Sequence, residues 1–463
     1  MSNRVVVTGI GLVSPIGHDL STFWSNCLRG ESAAAPIPEF WQNFYDYKSI
    51  FWSELILPDY KALGYSAFMR SKTDPAALNS IIAAKSALND AGLSLESTGK
   101  HQSRLCDYDA GDVGVYVGTG IGGIASFIDS YNHQSNSVIH KSIKEFKSNF
   151  LAEPKSGSAP SEPENNPLSH TESLLHYDKK FNPFVVSMHM PNASAANIGI
   201  SLGVTGECNT YSYACASSTI SIGEAFRSVA SGTVKCAIAG GTEYMHDPYG
   251  AIFRAFDQGG TLTRHTDSPR TCNMPFDKGR SGFMFSEGGA CYLVLEDYDS
   301  ALARGANIYG EISGYSRNFE GYSTMIIEPS GRNIKSLLGK LLAQAGIEGT
   351  DIQYVNSHGT GTVPNDDVES EAIEHIVGKK AFVNSTKSIL GHSLGASGAF
   401  EAAVTFLSIK NQQLHPSANI SDPVRDLNFV TKPTEATITR AITQSFAFGG
   451  HNAALLCSSI INE

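Results

Sequence analysis

The sequence predicts an α/β fold built from two similar halves, and three observations carry that expectation. Short apolar runs rich in β-branched and small residues, among them Val5-Val6-Val7, Val113 to Val117, Ala237-Ile238-Ala239 and Tyr354-Val355, end in glycine-rich turns and alternate with helical patterns. The stretches Val113 to Gly120 (VGVYVGTG) and Gln353 to Thr360 (QYVNSHGT) echo one another, each a buried strand running into a Gly/Thr turn. Finally, 463 residues with 41% hydrophobic and 17% charged residues and 44 glycines describe a large, close-packed, turn-rich chain. Coiled coils, disordered chains and small stapled scaffolds are excluded.

The first apolar run is broken by Gly9, Gly11 and Pro15, so it lacks the apolar core of a signal peptide. Thr8-Gly9-Ile10-Gly11 resembles the start of a dinucleotide fingerprint. The third glycine is missing, Ser14-Pro15-Ile16-Gly17 stands in its place, and a plain strand-end turn is the favoured reading. Next comes a helix marked at both ends, with Asp74 as N-cap, Pro75 in the first turn and Gly92 just past the last residue. Its buried side should include Leu78, Ile81, Ile82, Ala84 and Leu88. The longest apolar stretch, Val113 to Ile128, holds five glycines and so does not read as a membrane span. Lys141 to Lys180, with SGSAPSEPENNP at 156 to 167, reads as a polar surface excursion. A strand at Ala290 to Leu295 and another at Ile308 to Ile312 flank Arg304-Gly305, which divides the chain into halves at 1–303 and 304–463.

A net charge of −11 gives no overall field toward nucleic acid or an anionic membrane, so an acidic partner must find a local basic patch. The eight cysteines form no C-x-x-C pair and no finger-like spacing with histidine. They read as reduced, mostly buried thiols of a cytoplasmic protein, with no metal expected.

Three residues could do chemistry. Cys215 lies in Tyr213-Ala214-Cys215-Ala216-Ser217-Ser218 and is followed by Ile220, Ile222, Ala225 and Val229 at helical spacing, which puts it where a strand becomes a helix. The free N–H groups and positive dipole end there favour a thiolate. On this motif alone, a buried small residue at a tight turn fits as well as a nucleophile. His358, in NSHGTGT at 356 to 362, and His392, after KSILG, each end a short apolar run among small residues that allow close substrate approach. A single histidine of this kind reads as structural; two of them beside a positioned cysteine make a site.

With these pieces in place the chain resembles the β-ketoacyl-acyl-carrier-protein synthases of the elongating, decarboxylating type over nearly its whole length. The resemblance rests on VVVTGIGLVSPIG at 5 to 17, VGTGIGG at 117 to 123, MPNASAANI at 190 to 198, YACASS at 213 to 218, AGGTEYM at 239 to 245, PFDKGRSGF at 275 to 283, NSHGTGT at 356 to 362, STKSILGHSLGASGAFEA at 385 to 402 and SFAFGGHNA at 445 to 453. It implies the thiolase fold, two related α/β halves in a five-layered α-β-α-β-α body. It also implies acyl transfer to Cys215, decarboxylation of a malonyl thioester with the enolate held by His358 and His392, and condensation to a 3-oxoacyl thioester two carbons longer. Lys387 matches the family lysine near His392, expected to keep that donor neutral, and Glu401 its acidic partner. Phe446 and Phe448 match the gate and second oxyanion hole, formed by the backbone N–H groups of Cys215 and Phe448. No cofactor is implied. The implied partner is an acyl carrier protein docked on Arg70 and Lys72 beside the tunnel mouth, and the implied assembly is a homodimer or a heterodimer with a chain-length subunit.

The chain departs from the family pattern at several places. Tyr213 stands where Thr is common, Gly279 and Ser281 replace acidic residues around Arg280, Ala447 and His451 replace Gly and Thr, and Tyr322 to Met325 does not reproduce the usual His-containing loop. The departures are expected to cluster around substrate access and to tune the acyl chain accepted. A non-catalytic chain-length subunit is the alternative, but those subunits lose the cysteine. A thiolase would need a second cysteine near the C-terminal turn, where His451 stands.

Overall fold

The computed structural model describes residues 3–99, 102–150 and 181–460. Eleven strands form the main sheet: β1 (Val5–Val13), β2 (Val113–Gly118), β3 (Cys208–Tyr211), β4 (Cys236–Tyr244), β5 (Gly288–Asp297), β6 (Gly310–Phe319), β7 (Tyr354–Asn356), β8 (Phe382–Asn384), β9 (Asn428–Phe429), β10 (Arg440–Phe446) and β11 (His451–Ser458). Their spatial order is β9-β8-β7-β10-β11-β6-β1-β5-β4-β2-β3. Read outward from the central β6·β1 pair, the first half runs β1-β5-β4-β2-β3 and the second β6-β11-β10-β7-β8. With the short edge strand β9 set aside, both are the first, fifth, fourth, second and third strands of their half. The directions agree as well, since β2 pairs parallel with β3 and β4, and β7 pairs parallel with β8 and β10. The echo between Val113 to Gly120 and Gln353 to Thr360 therefore has a structural counterpart: each is the second strand of its half.

The halves join edge to edge through Val5↔Ile312, Val6↔Glu311 and Val7↔Gly310. The sheet folds there around two central helices, Ser217–Ala230 and Ser397–Asn411, which pack on each other and on strands of both halves. Helices Pro75–Asp90 and Ala193–Leu202 cover the outer face of the first half, while Arg332–Ala345 and Val363–Ile376 lie on the second. Counted across, these are the five layers expected. The central helices carry little charge because they have almost no solvent face; every residue of Ser397–Asn411 up to Ile409 is buried.

Helix Pro75–Asp90 forms where its punctuation places it. The Asp74 side chain accepts the Ala76 N–H, Pro75 occupies the first turn, and Gly92 follows at φ +70°. Leu78, Ile81, Ala84 and Leu88 are buried and Ile82 partly so. Each buried large side chain contributes about 1.5–3 kcal/mol. This helix also explains Gly9 and Gly11, since a Cβ at Gly9 would stand 2.1 Å from the Ala87 carbonyl oxygen and one at Gly11 2.2 Å from that of Ala83. The glycines let strand and helix touch and sit inside β1, so this segment holds no phosphate-binding turn.

Two segments differ from expectation. The strand expected at Ile308 to Ile312 begins at Gly310 and runs to Phe319, because β11 pairs with it along that length. The helix Ile124–Phe150 takes in the first ten positions of the expected polar excursion; 151–180 lie outside the described residues. All eight cysteines are unpaired, with Cys106 and Cys208 exposed and the rest buried. Among the described residues no helix is long and apolar enough to cross a membrane.

Candidate active site

Cys215 sits in a forced turn. Beyond β3 the chain enters a short 3-10 turn, Ala214–Ala216, with Ala214 at φ +46°, a conformation uncommon for a residue with a side chain. Ser217 holds that turn, its Oγ accepting the Tyr213 N–H (2.9 Å) and lying 2.7 Å from the Ala214 carbonyl. The next residues form the buried central helix, which leaves Cys215 at its N-terminal end and only 2% exposed.

The two histidines arrive from the other half. His358 lies two residues past the end of β7, where the N–H groups of His358 and Gly359 donate to the Glu369 carboxylate at 2.6 and 2.8 Å. His392 follows the short helix Lys387–Leu390, and its N–H donates to the Met284 carbonyl (2.8 Å). Its Nε2 stands 3.0 Å from the Cys215 sulfur and its Nδ1 3.0 Å from Ser397 Oγ. The imidazoles meet edge to face, centroids 5.5 Å apart. Lys387 Nζ donates to the His358 carbonyl (2.8 Å), approaches His358 Nδ1 (3.1 Å) and pairs with Glu401. Phe446 packs its ring against His358, and Phe283 packs against His392.

This network sets protonation. With the Lys387 ammonium donating to Nδ1, neutral His358 carries its proton on Nε2. His392 Nδ1 faces a hydroxyl that can donate or accept, so its Nε2 can present either an N–H or a lone pair. Burial, the Lys387 charge and the neighbouring imidazole hold His358 well below the usual histidine range; burial and Lys387 do the same to His392. Burial pushes Glu401 up to about 7 despite Lys387.

Cys215 corrects one expectation. The helix end was expected to favour a thiolate, yet burial pushes the thiol up to about 11, against the opposing pull of Lys387 and of the Phe448 and Cys215 backbone N–H groups. The closed site removes more solvation than these groups restore. The Cys215 sulfur keeps an imidazole nitrogen at hydrogen-bond distance.

A cavity of about 190 Å³ opens onto these groups, lined by Cys215, His358, His392, Phe446, Phe448 and the segment 323–327 among others. The sequence departures divide here. Ser323, Thr324, Met325 and Ala447 line the cavity, whereas Tyr213, Gly279, Ser281 and His451 do not. Arg70 and Lys72 are exposed on the helix Ala67–Lys72 just ahead of the Asp74 cap, and neither is among the residues that line the cavity. Glu369, Ser397 and Phe283 escaped the sequence reading. Ser397 lies within a quoted motif and repeats the Ser217 position; Glu369 is one acid among several in NDDVESE, and nothing local marks it. Among the described residues, Cys215, His358 and His392 are also the group placed to share a metal ion, their ligand atoms all within 4.8 Å. The Lys387 ammonium beside them opposes a cation.

Comparison with known proteins agrees with this architecture. Residues 2–300 match the model of the beta-ketoacyl synthase N-terminal domain and residues 309–421 that of the C-terminal domain. A 3-oxoacyl-[acyl-carrier-protein] synthase 2 of Synechocystis sp. is 33% identical over 459 residues, covering 98% of this chain and 97% of that one. One from Staphylococcus aureus is 34% identical over 465 residues, covering 97% and 100%. A beta-ketoacyl synthase structure from Burkholderia phymatum superposes with a TM-score of 0.79 at 25% identity, covering 99% of this chain and 100% of that one. The ishigamide ketosynthase/chain length factor superposes at 0.77 and 25%, covering all of both chains. The chain belongs to the beta-ketoacyl synthase family.

Proposed function

We propose that this enzyme is a β-ketoacyl-acyl-carrier-protein synthase in which Cys215 carries the growing acyl chain and His358 and His392 stabilise the donor's enolate. Its product belongs to fatty acid or specialised polyketide biosynthesis. The observation that carries the reading is the convergence of one thiol and two neutral imidazoles at the cavity, with Lys387 fixing the proton of one of them.

The steps follow from the geometry. An acyl thioester on the carrier is attacked by Cys215 Sγ while His392 Nε2, as a lone pair, takes the thiol proton and passes it to the departing carrier thiolate. The malonyl thioester then loses CO₂, and charge grows on its thioester oxygen, where His358 Nε2–H and His392 Nε2–H can donate. The nucleophilic carbon attacks the acyl carbonyl on Cys215, and the tetrahedral oxyanion falls to the Cys215 and Phe448 N–H groups. Collapse releases the cysteine and a 3-oxoacyl thioester two carbons longer. Glu401 holds Lys387 in place, and Phe446 packs the His358 ring.

The partner in this reading is an acyl carrier protein, acyl- or malonyl-loaded, docked through Arg70 and Lys72. A solved relative by fold is a type II polyketide acyl-carrier protein in complex with its ketosynthase, TM-score 0.78 at 24% identity over the full length of both chains. A dimer is supported by β3, which pairs only with β2 and leaves its outer edge open among the described residues, and by exposed Tyr131, Val138, Val186 and Ile200. The halves are 1–303 and 304–463. Unpaired thiols support a cytoplasmic setting.

Intact-protein mass after incubation with acyl-carrier protein tests the assignment. Wild type should gain one acyl mass and Cys215→Ala none; an adduct on the variant would move the nucleophile elsewhere.

A further inference from the structure

Two of the departures from the family pattern, Tyr213 and His451, touch each other. Their rings lie 4.8 Å apart at 69°, and the other side of the imidazole packs on Phe319 at 5.1 Å. Phe319 is the β6 residue directly opposite His451 on β11. The Tyr213 hydroxyl also accepts a hydrogen bond from Arg317, which is itself paired with Glu224 on the central helix. Both residues where the family carries threonine are therefore aromatic here, and they form one contact.

That contact lies between two functional turns. Tyr213 stands two residues before Cys215 and is fixed at its backbone by Ser217. The His451 carbonyl accepts the Ala447 N–H (2.9 Å), closing the turn that carries Phe448. On its far side the same turn is held by the Gly449 N–H, which donates to the Thr324 carbonyl (2.8 Å) on a cavity-lining segment. Phe448 lines a cavity of only about 190 Å³ together with Cys215, so a long acyl chain on the sulfur requires that turn to move. The strand that follows this turn begins at His451, the residue that touches Tyr213.

We propose that Tyr213 and His451 form an aromatic clasp that holds the Phe448 turn against the Cys215 turn and so sets acyl-length selectivity, penalising long chains more than short ones. They are positioning residues, since neither lines the cavity. The inference rests on the reading of Cys215 as the acyl acceptor, and it adds a determinant of which acyl groups reach it.

The test measures loading of Cys215 by intact mass against time, with acetyl and decanoyl thioesters of pantetheine, in wild type, His451→Thr, Tyr213→Thr, the double variant and His451→Phe. One edge-to-face aromatic contact corresponds to about a three- to tenfold preference. The decanoyl-to-acetyl ratio of kcat/KM should rise by about that factor in either Thr variant, rise no further in the double variant, and stay near wild type in His451→Phe, which keeps the ring. Melting temperatures are read alongside. A ratio unchanged in both Thr variants, or a loss of stability with both substrates slowed equally, overturns the clasp while leaving acyl loading intact. A wild type that gains no adduct at Cys215 overturns the functional reading and the clasp with it.

Discussion

The turn at Cys215 has a counterpart in the second half, and the two differ in what they carry. Ala214 and Leu394 both have positive φ, +46° and +45°. Ser217 Oγ accepts the Tyr213 N–H and Ser397 Oγ accepts the Ser393 N–H, and each turn opens a buried central helix. Position by position, Cys215 then answers to Gly395. A Cβ at Gly395 would lie 2.2 Å from the Gly120 nitrogen and 2.6 Å from Glu243 Oε2, so the second turn has no room for a side chain. The strand ends show the reverse. Two residues past the last paired residue of the second strand, the first half has Gly120 and the second has His358. One frame used twice brings the Cys215 thiol from its first copy and the His358 imidazole from its second to one cavity, and each copy has glycine where the other has that side chain.

The largest expected effect comes from filling the bare turn. Gly395→Ala forces a side chain against the Thr119–Gly120 peptide and the Glu243 carboxylate and should cost about 2–3 kcal/mol by denaturant unfolding, with loss of condensation. A variant as stable and active as wild type would break the comparison.

Next is Lys387→Met. Lys387 lowers the affinity of His358 for a proton, so its removal lets that value rise toward the ordinary histidine range, although burial still depresses it. The imidazolium then forms at higher pH, and the acid limb of kcat against pH should move up, with a loss of at most about fourfold from protonation near pH 6. An acid limb that stays in place would detach Lys387 from the histidines.

The smallest effect concerns the surface. Arg70→Glu with Lys72→Glu should raise KM for acyl-carrier protein severalfold, and added salt should weaken the wild type in the same direction, while turnover of a carrier-free thioester stays near wild type. Equal loss with both substrates would place docking elsewhere.

What could be read before the structure follows from the range of the interactions. The cap at Asp74, the proline after it and Gly92 act within a turn or two, and the helix between them lies where they put it. Cys215 was legible because a strand-to-helix junction is a local pattern. The upward push on its thiol was not, because it comes from burial by residues of both halves. The end of β6 was missed because Phe319 is held by pairing with His451, more than a hundred residues on. Glu369 was missed for the same kind of reason: it matters only because its helix folds back onto the His358 turn.

The division of labour between the halves is tested most directly by following two signals in His358→Ala, the acyl adduct on Cys215 and the CO₂ released from malonyl-carrier protein. The adduct should form at close to the wild-type rate, since enolate charge develops only after loading, while CO₂ release falls by two orders of magnitude or more, about the loss of a single oxyanion donor. Equal loss of both signals would contradict the assignment of the nucleophile to the first half and of enolate stabilisation to the second.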